Sequence, residues 1–236
     1  MYIFLIMQYI NRQIEAQLKQ ASEQFAILAM TGPRQAGKST LLKFLFPEYS
    51  YFTFDDPVLR KQAKEDPGLF MENVPVHSVL DEIQYAPELL PYLKIRVDRS
   101  QEKKGQYILT GSQIFHLMAG LTETLAGRVA LFELLPFSFH ELGFENPATL
   151  TKLFEYLHKG FYPDPCVHGV APKLYYGSYV QTYLERDIRQ ITSVQDLTLF
   201  QRFVELLAAR VGGILNIVEI SRFCNVAFRP ACCQYF

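Results

Sequence analysis

Between Gly32 and Thr40 the chain reads Gly-Pro-Arg-Gln-Ala-Gly-Lys-Ser-Thr, two glycines, a lysine and a hydroxyl at the spacing that cradles phosphate. Each residue type has a physical reason. Gly32 and Gly37 permit the backbone turns that point successive N–H groups of Pro33-Arg34-Gln35-Ala36-Gly37 and its neighbours at one anion, although Pro33 itself has no N–H to give. Lys38 supplies a compact positive charge for β- and γ-phosphates, and Ser39 a hydroxyl for Mg²⁺. A helix beginning there and running through Thr40 adds free N–H groups and its positive dipole end. The ligand this chemistry implies is a nucleoside triphosphate with its Mg²⁺.

A second constellation, Val79-Leu80-Asp81-Glu82, is an apolar run that delivers two acids at its end. In an open α/β sheet, ligands sit beyond the carboxyl ends of the strands, which would put these acids beside the phosphate loop. Asp81 then suits Mg²⁺, and Glu82 suits polarisation of an attacking water. That second acid separates a hydrolytic site from many P-loop kinases. Asp55-Asp56 is the rival for the metal role, and reads instead as a turn and helix cap before Pro57. Thr110-Gly111-Ser112 ends a further strand, and Ser112, with Gln113 second, is the candidate to contact the γ-phosphate. Arg128 is the candidate to stabilise transition-state charge, in its own subunit or in a neighbour's within a homo-oligomer. Arg34, Arg186 and Arg189 are the alternatives.

The elements that must carry these residues alternate. Ile10–Ser22 reads as an amphipathic helix with Ile14 and Leu18 on one face, and 25–30 as a strand. Ser39–Phe46 is helical and stopped by Pro47; 51–54 is a strand; 58–64 is a polar helical stretch. Strands follow at 76–80, 107–109 and within 127–135, with a helix over 87–100 between the first two. Strands alternating with helices imply a mostly parallel sheet covered on both faces. From Pro136 long helical patterns dominate, notably 175–191 and 197–210, and a further boundary falls near Gly212-Gly213.

Composition sets the class. Of 236 residues, 49% are hydrophobic and 20% charged, which suits a globular chain. With 23 basic and 24 acidic residues and a formal net charge of -1, the whole surface gives no sign of a polyanion-binding face. The cysteines, Cys166, Cys224, Cys232 and Cys233, include no zinc-type pair and read as reduced thiols. The apolar opening Met1–Ile10 is too short to span a bilayer and lacks the flanks of a signal peptide. A soluble cytoplasmic protein with no membrane partner is the expectation.

With these pieces assembled, the chain resembles the prokaryotic AAA-type ATP-binding proteins, which join a P-loop ATPase to a C-terminal half of unknown function. The resemblance rests on Gly32–Thr40, Leu80-Asp-Glu-Ile-Gln84, Leu109-Thr-Gly-Ser-Gln113, Leu125-Ala-Gly-Arg128, Leu135-Pro-Phe-Ser-Phe139 with Glu141-Leu142, 179–187 and Leu207-Ala-Ala-Arg210. It implies an α/β fold: an AAA-like parallel sheet sandwiched by helices over 1–135, a helical region over 136–211, and a partial winged-helix-like segment over 212–236. It also implies ATP and Mg²⁺ as ligands, and the roles argued above for Asp81, Glu82, Ser112 and Arg128. The alternative is a nucleotide-dependent switch whose partner, DNA or protein, meets the winged-helix-like region. Two departures stand out. Met1–Ile6 reads as an upstream extension, and after a helix opening at Ile217 the residues Arg229–Phe236 do not resemble the family's continuation. A truncated or frameshifted product, lacking a large nuclease-like part, is the expectation there.

Overall fold

The strand ahead of the phosphate-type loop, β1 (Ile27–Thr31), is buried along its whole length, which is why it reads as an unbroken apolar run. In the computed structural model, which describes residues 9–100, 104–112, 124–144, 149–183, 197–214 and 216–223, β1 lies inside a parallel sheet. The other strands are β2 (Ser50–Thr53), β3 (Ser78–Asp81), β4 (Tyr107–Thr110) and β5 (Val129–Glu133), in the order β2-β3-β4-β1-β5. Every pairing is parallel: Ile27 lies opposite Tyr107 and Val129, Ser78 opposite Tyr107, and Ser50 opposite Ser78. The inner strands β3 and β4 are fully buried like β1, whereas β2 and β5, at the two ends, are partly exposed.

Helices cover both faces. Alternation along each strand sends Ile27, Ala29, Leu80, Tyr107 and Leu109 to one side, and Leu28, Met30, Val79 and Ile108 to the other. The first side packs under α3 (Pro57–Glu65), α4 (Pro67–Asn73) and α5 (Leu90–Arg99), through Ala63, Met71, Leu90, Leu93 and Val97. The second packs under α1 (Glu15–Ser22) and α2 (Lys38–Leu45), through Leu18, Leu41, Leu42 and Leu45.

Local chemistry sets the element ends. Asp56 caps α3 by accepting from the Val58 N–H at 2.8 Å, with Pro57 in the first turn. Asp66 does the same for α4 from Leu69 N at 2.9 Å, ahead of Pro67. The single helical stretch expected over 58–64 is thus followed by a second helix, which its Asp-Pro start announces. The expected helix over 87–100 is regular only from Leu90. Pro91 has no N–H to return to residue 87, and 3₁₀ turns fill Ile83–Tyr85 and Pro87–Leu89 instead. The first helix begins at Glu15, later than the periodicity suggests, with Leu18 buried and Ile14 partly so.

The chain forms two compact units, 1–170 and 171–236. Residues 137–170, with α6 (Leu150–Lys159, capped by Thr149) and α7 (Pro163–Val167), belong to the first. The second contains α8 (Pro172–Tyr183), α9 (Leu197–Ala208) and α10 (Ile217–Phe223). There Arg210 bridges to Glu219 at 2.8 Å across the turn at Gly212-Gly213, and its guanidinium lies over Phe223. The expected helix to Ile191 extends past Tyr183 outside the described residues, as do Met1–Ile6 and Arg229–Phe236. Among the described residues no helix is long and apolar enough to cross a membrane.

Leu80 is fully buried one residue before Asp81. Leu80→Ala removes its side chain from the sheet core and is expected to cost about 2–5 kcal/mol. Val58→Ala, at an exposed helix position, is expected to stay within about 0.5 kcal/mol. Urea denaturation of both variants measures the contrast.

Candidate nucleotide site

The site grows from the end of β1. Gly32 leaves the strand at φ 137°, and a Cβ there would stand 2.2 Å from the Leu134 carbonyl oxygen, so only glycine fits. Gly37 (φ 96°) is the last residue before α2 and offers no side-chain cap. Unlike α3 and α4, which are capped by their own aspartates, α2 starts with no side-chain cap on its first N–H groups. Lys38 is buried, and its Nζ donates to the carbonyl oxygens of Gly32 (2.8 Å) and Pro33 (3.0 Å). Burial lowers its pKa below the ordinary lysine value, against an upward pull from the Glu82 and Asp81 charges.

Because β3 and β4 run parallel to β1, their ends arrive at the same edge. Ser39 Oγ is 3.3 and 3.5 Å from the two Asp81 carboxylate oxygens. Thr110 Oγ donates to Asp81 and accepts from the Glu82 N–H at 3.3 Å, tying the two acids to β4. Glu82 takes a left-handed backbone (φ 57°), and its Oε2 accepts from Ser112 Oγ (3.2 Å), Ser112 N (3.4 Å) and Gln84 Nε2. Tyr51 of β2 lies close by. Burial pushes its phenol far above the ordinary value, and the charges of Asp81 and Glu82 push the same way against an opposing contribution from Ser39. Arg34 reaches from the loop to the Tyr85 hydroxyl at 3.2 Å, under the guanidinium of Arg60 stacked on that ring.

The structure therefore brings Gly32 through Thr40, Asp81, Glu82 and Ser112 together, and leaves Asp55-Asp56 as turn and cap. Arg128 is not brought there. It precedes β5 at the opposite edge of the sheet, its carbonyl accepting from Ile27 N, about 16 Å of strand from the loop edge. Its guanidinium forms a two-pronged pair with Asp98 at 2.5 and 3.0 Å, which holds that carboxyl below the ordinary range. The expectation named its own subunit's site or a neighbour's, and Arg128 lies paired with Asp98, away from the loop of its own chain. Gln113, Arg186 and Arg189 lie outside the described residues.

Sequence reasoning missed four residues. Tyr51, Thr110 and Gln84 carry no signal beyond lying in or next to the strands they join. The fourth, Arg12, ahead of α1, is buried and holds the loop in place. It donates to Ala36 O (2.9 Å), Leu135 O (2.6 Å) and Glu141 Oε1 (3.1 Å), over the ring of Phe137. Burial pushes the Glu141 carboxyl up, but N–H donors from Ser138 and Gln13 and the Arg12 charge outweigh it and hold its pKa below the ordinary value. Beside this pair a cavity of about 260 Å³ opens between Tyr9, Ile10, Thr40, Phe137, Pro163 and Val167, reaching the backbone of Gly37.

A parallel sheet in this strand order, with a phosphate-type loop after its inner strand β1 and an acidic pair ending β3, defines the P-loop NTPase class. The AAA domain family matches residues 24–143, and the chain belongs to that family. Residues 150–231 match a domain of unknown function, DUF8612. Uncharacterized proteins of Mycobacterium tuberculosis and Mycobacterium bovis are each 29% identical over 220 residues, 92% of this chain and 48% of theirs. The chain thus spans about half the length of these curated relatives. The solved Walker-type ATPase PABY2304 of Pyrococcus abyssi shares the fold, with a TM-score of 0.56 and 18% identity over 96% of this chain and 87% of its own. The chain accordingly carries an AAA-type P-loop fold, the fold of nucleotide-binding ATPases.

Arg12 and Glu141 make a buried pair, and removing one partner strands the other charge. Arg12→Ala is expected to lower the unfolding free energy by about 3–5 kcal/mol. Glu141 ionises more readily folded than unfolded, so its contribution is full above the unfolded carboxyl pKa and is lost as pH falls through the lower folded value. Denaturation curves of wild type and Glu141→Gln should therefore lie furthest apart near neutral pH and converge in acid.

Proposed function

We propose that this chain binds Mg-ATP at the loop 32–40 and hydrolyses it to ADP and phosphate. The observation that carries the reading is the meeting of three elements at one edge. Ser39 sits 3.3 Å from Asp81, Lys38 feels both acids, and Glu82 is anchored by Ser112. In this reading the α2 N–H groups and Lys38 hold the phosphates, Glu82 accepts a proton from the attacking water, and Ser112 registers the γ-phosphate. A hydroxyl and a carboxylate are hard oxygen donors and fit Mg²⁺, so Ser39 and Asp81 are its proposed ligands. Mg²⁺ held there supplies charge neutralisation on the β- and γ-phosphate oxygens.

The cavity beside Gly37 and Thr40 supports a seat for the base and sugar, with Tyr9, Ile10 and Val167 as apolar walls. The choice of adenine rests on family resemblance. Arg128, remote from its own loop, is proposed as the arginine offered to a neighbour in a homo-oligomer. A DNA or protein partner met by the winged-helix-like segment that holds α10, a division into 1–135, 136–211 and 212–236, and a cytoplasmic setting belong to the same proposal.

Phosphate release from Mg-ATP by the purified chain, beside Lys38→Ala and Glu82→Gln, tests it. Wild type is expected to turn over and both variants to fall by at least about a hundredfold, with ATP binding kept in Glu82→Gln. Wild type that binds ATP through Lys38 but releases no phosphate would make the chain a nucleotide-dependent switch instead.

A further inference from the structure

Gln84 stands two residues beyond Glu82, in the short 3₁₀ turn that follows β3. Its amide nitrogen donates to Glu82 Oε2 and, at 3.5 Å, to Ser112 Oγ, which itself donates to Glu82 Oε2. Three groups thus form a closed ring of hydrogen bonds, and each bond to the carboxylate falls on the same oxygen. Among the described residues these bonds hold Glu82 through Oε2.

The other end of the Gln84 amide is the unusual part. Among the described residues its Oε1 is buried and accepts no hydrogen bond. A buried carbonyl without a donor is costly and uncommon in folded proteins, so its placement calls for a donor that arrives with the working state. The amide oxygen shares a carbon with the nitrogen bonded to Glu82, which puts the orphan acceptor and the carboxylate within the span of one bridging water. The oxygen is closed to solvent in this structure, so a water meets it only once the site opens for its ligand, and it would then find one acceptor for each of its two protons.

We propose that Gln84 orients the attacking water, as a second acceptor beside Glu82. The proposal rests on the hydrolytic reading above. The water oxygen forms the new bond to the γ-phosphorus while the bond to the ADP oxygen breaks. One water proton passes to Glu82 Oε1 and later returns to the phosphate or solvent. The other stays on the transferred oxygen, held meanwhile by Gln84 Oε1. An amide side chain suits this task because it directs a lone pair without competing for the proton. Ser112 then has two duties, holding Glu82 and fixing the amide's orientation.

The test is steady-state phosphate release by the full chain, with affinity for a fluorescent ATP analogue measured in parallel. The variants are Gln84→Met, Gln84→Glu and Glu82→Gln. Gln84→Met keeps the volume and loses both the acceptor and the donor to Glu82, whereas Gln84→Glu loses only the donor. Gln84→Met is expected to lower kcat by about tenfold to a hundredfold, with KM, analogue affinity and thermal midpoint unchanged. Gln84→Glu keeps an acceptor oxygen but sets a second carboxylate against Glu82, and is expected to lower kcat less than Gln84→Met does if the acceptor is what matters. If Gln84→Met retains wild-type kcat while Glu82→Gln is inactive, the role of Gln84 is wrong and the hydrolytic reading stands. A loss matched by weaker analogue binding or a lower thermal midpoint overturns it too, as a structural effect. If wild type itself releases no phosphate, both readings fall together.

Discussion

Five parallel strands must all end at the same edge of their sheet, and everything at the candidate site follows from that constraint. β1 delivers the loop at Gly32, β3 delivers Asp81 and Glu82, and β4 delivers Thr110 and Ser112. Because β3, β4 and β1 are consecutive neighbours in the sheet, these ends lie side by side at strand spacing of roughly 4.8 Å. Short side chains therefore suffice to link them, and Ser39, Thr110 and Ser112 are the linkers. The same constraint sends Arg128, at the start of β5, to the far edge. A residue's position along a parallel strand decides its access to the site more strongly than its chemistry does.

The close approach at Gly32 makes the loop conformation obligatory. The loop needs room against the carbonyl of Leu134, which follows β5, and that carbonyl's neighbour Leu135 is itself held by Arg12. Arg12 also grips Ala36 from the other side, so one guanidinium fixes the loop relative to both flanking segments. Its counter-charge Glu141 lies far along the chain yet accepts from three donors at once. A pair buried to this degree gives geometry at the expense of desolvation, and its worth is the fixed placement of the loop.

Much of this was legible before any coordinates. The loop and the acidic pair have fixed residue types at fixed spacing, because a loop that cradles phosphate leaves few chemical options. The strands were legible because β1, β3 and β4 are buried on both faces and must be apolar throughout. Asp56 followed from its Asp-Pro pair, and Asp66, before Pro67, carries the same sign. Arg12 was not legible, since nothing local separates a buried arginine from a solvated one; its partners lie beyond residue 130 or inside the loop. Gln84 was visible only as part of a family-like segment, and its unmet oxygen is a fact of packing. Arg128 shows the reverse case. Its motif drew attention, but whether it faces the loop depends on which end of β5 it occupies.

The charges at the site constrain how a nucleotide can enter. Asp81 and Glu82 already place two carboxylates around Lys38, and burial works against the lysine's own charge. Two unit charges about 6 Å apart at an effective dielectric of about 20 interact by about 3 kcal/mol, so a bare triphosphate beside two carboxylates meets repulsion that one lysine does not offset. On the proposed reading a divalent cation held by Asp81 and Ser39 removes that repulsion, and Lys38 exchanges the carbonyls of Gly32 and Pro33 for phosphate oxygens. Because Lys38 is buried beforehand, the exchange costs little further desolvation, and the gain from the stronger acceptor is kept. On the same proposed reading, the bonds Lys38 makes to its own loop hold the charge in place for a ligand that outcompetes them.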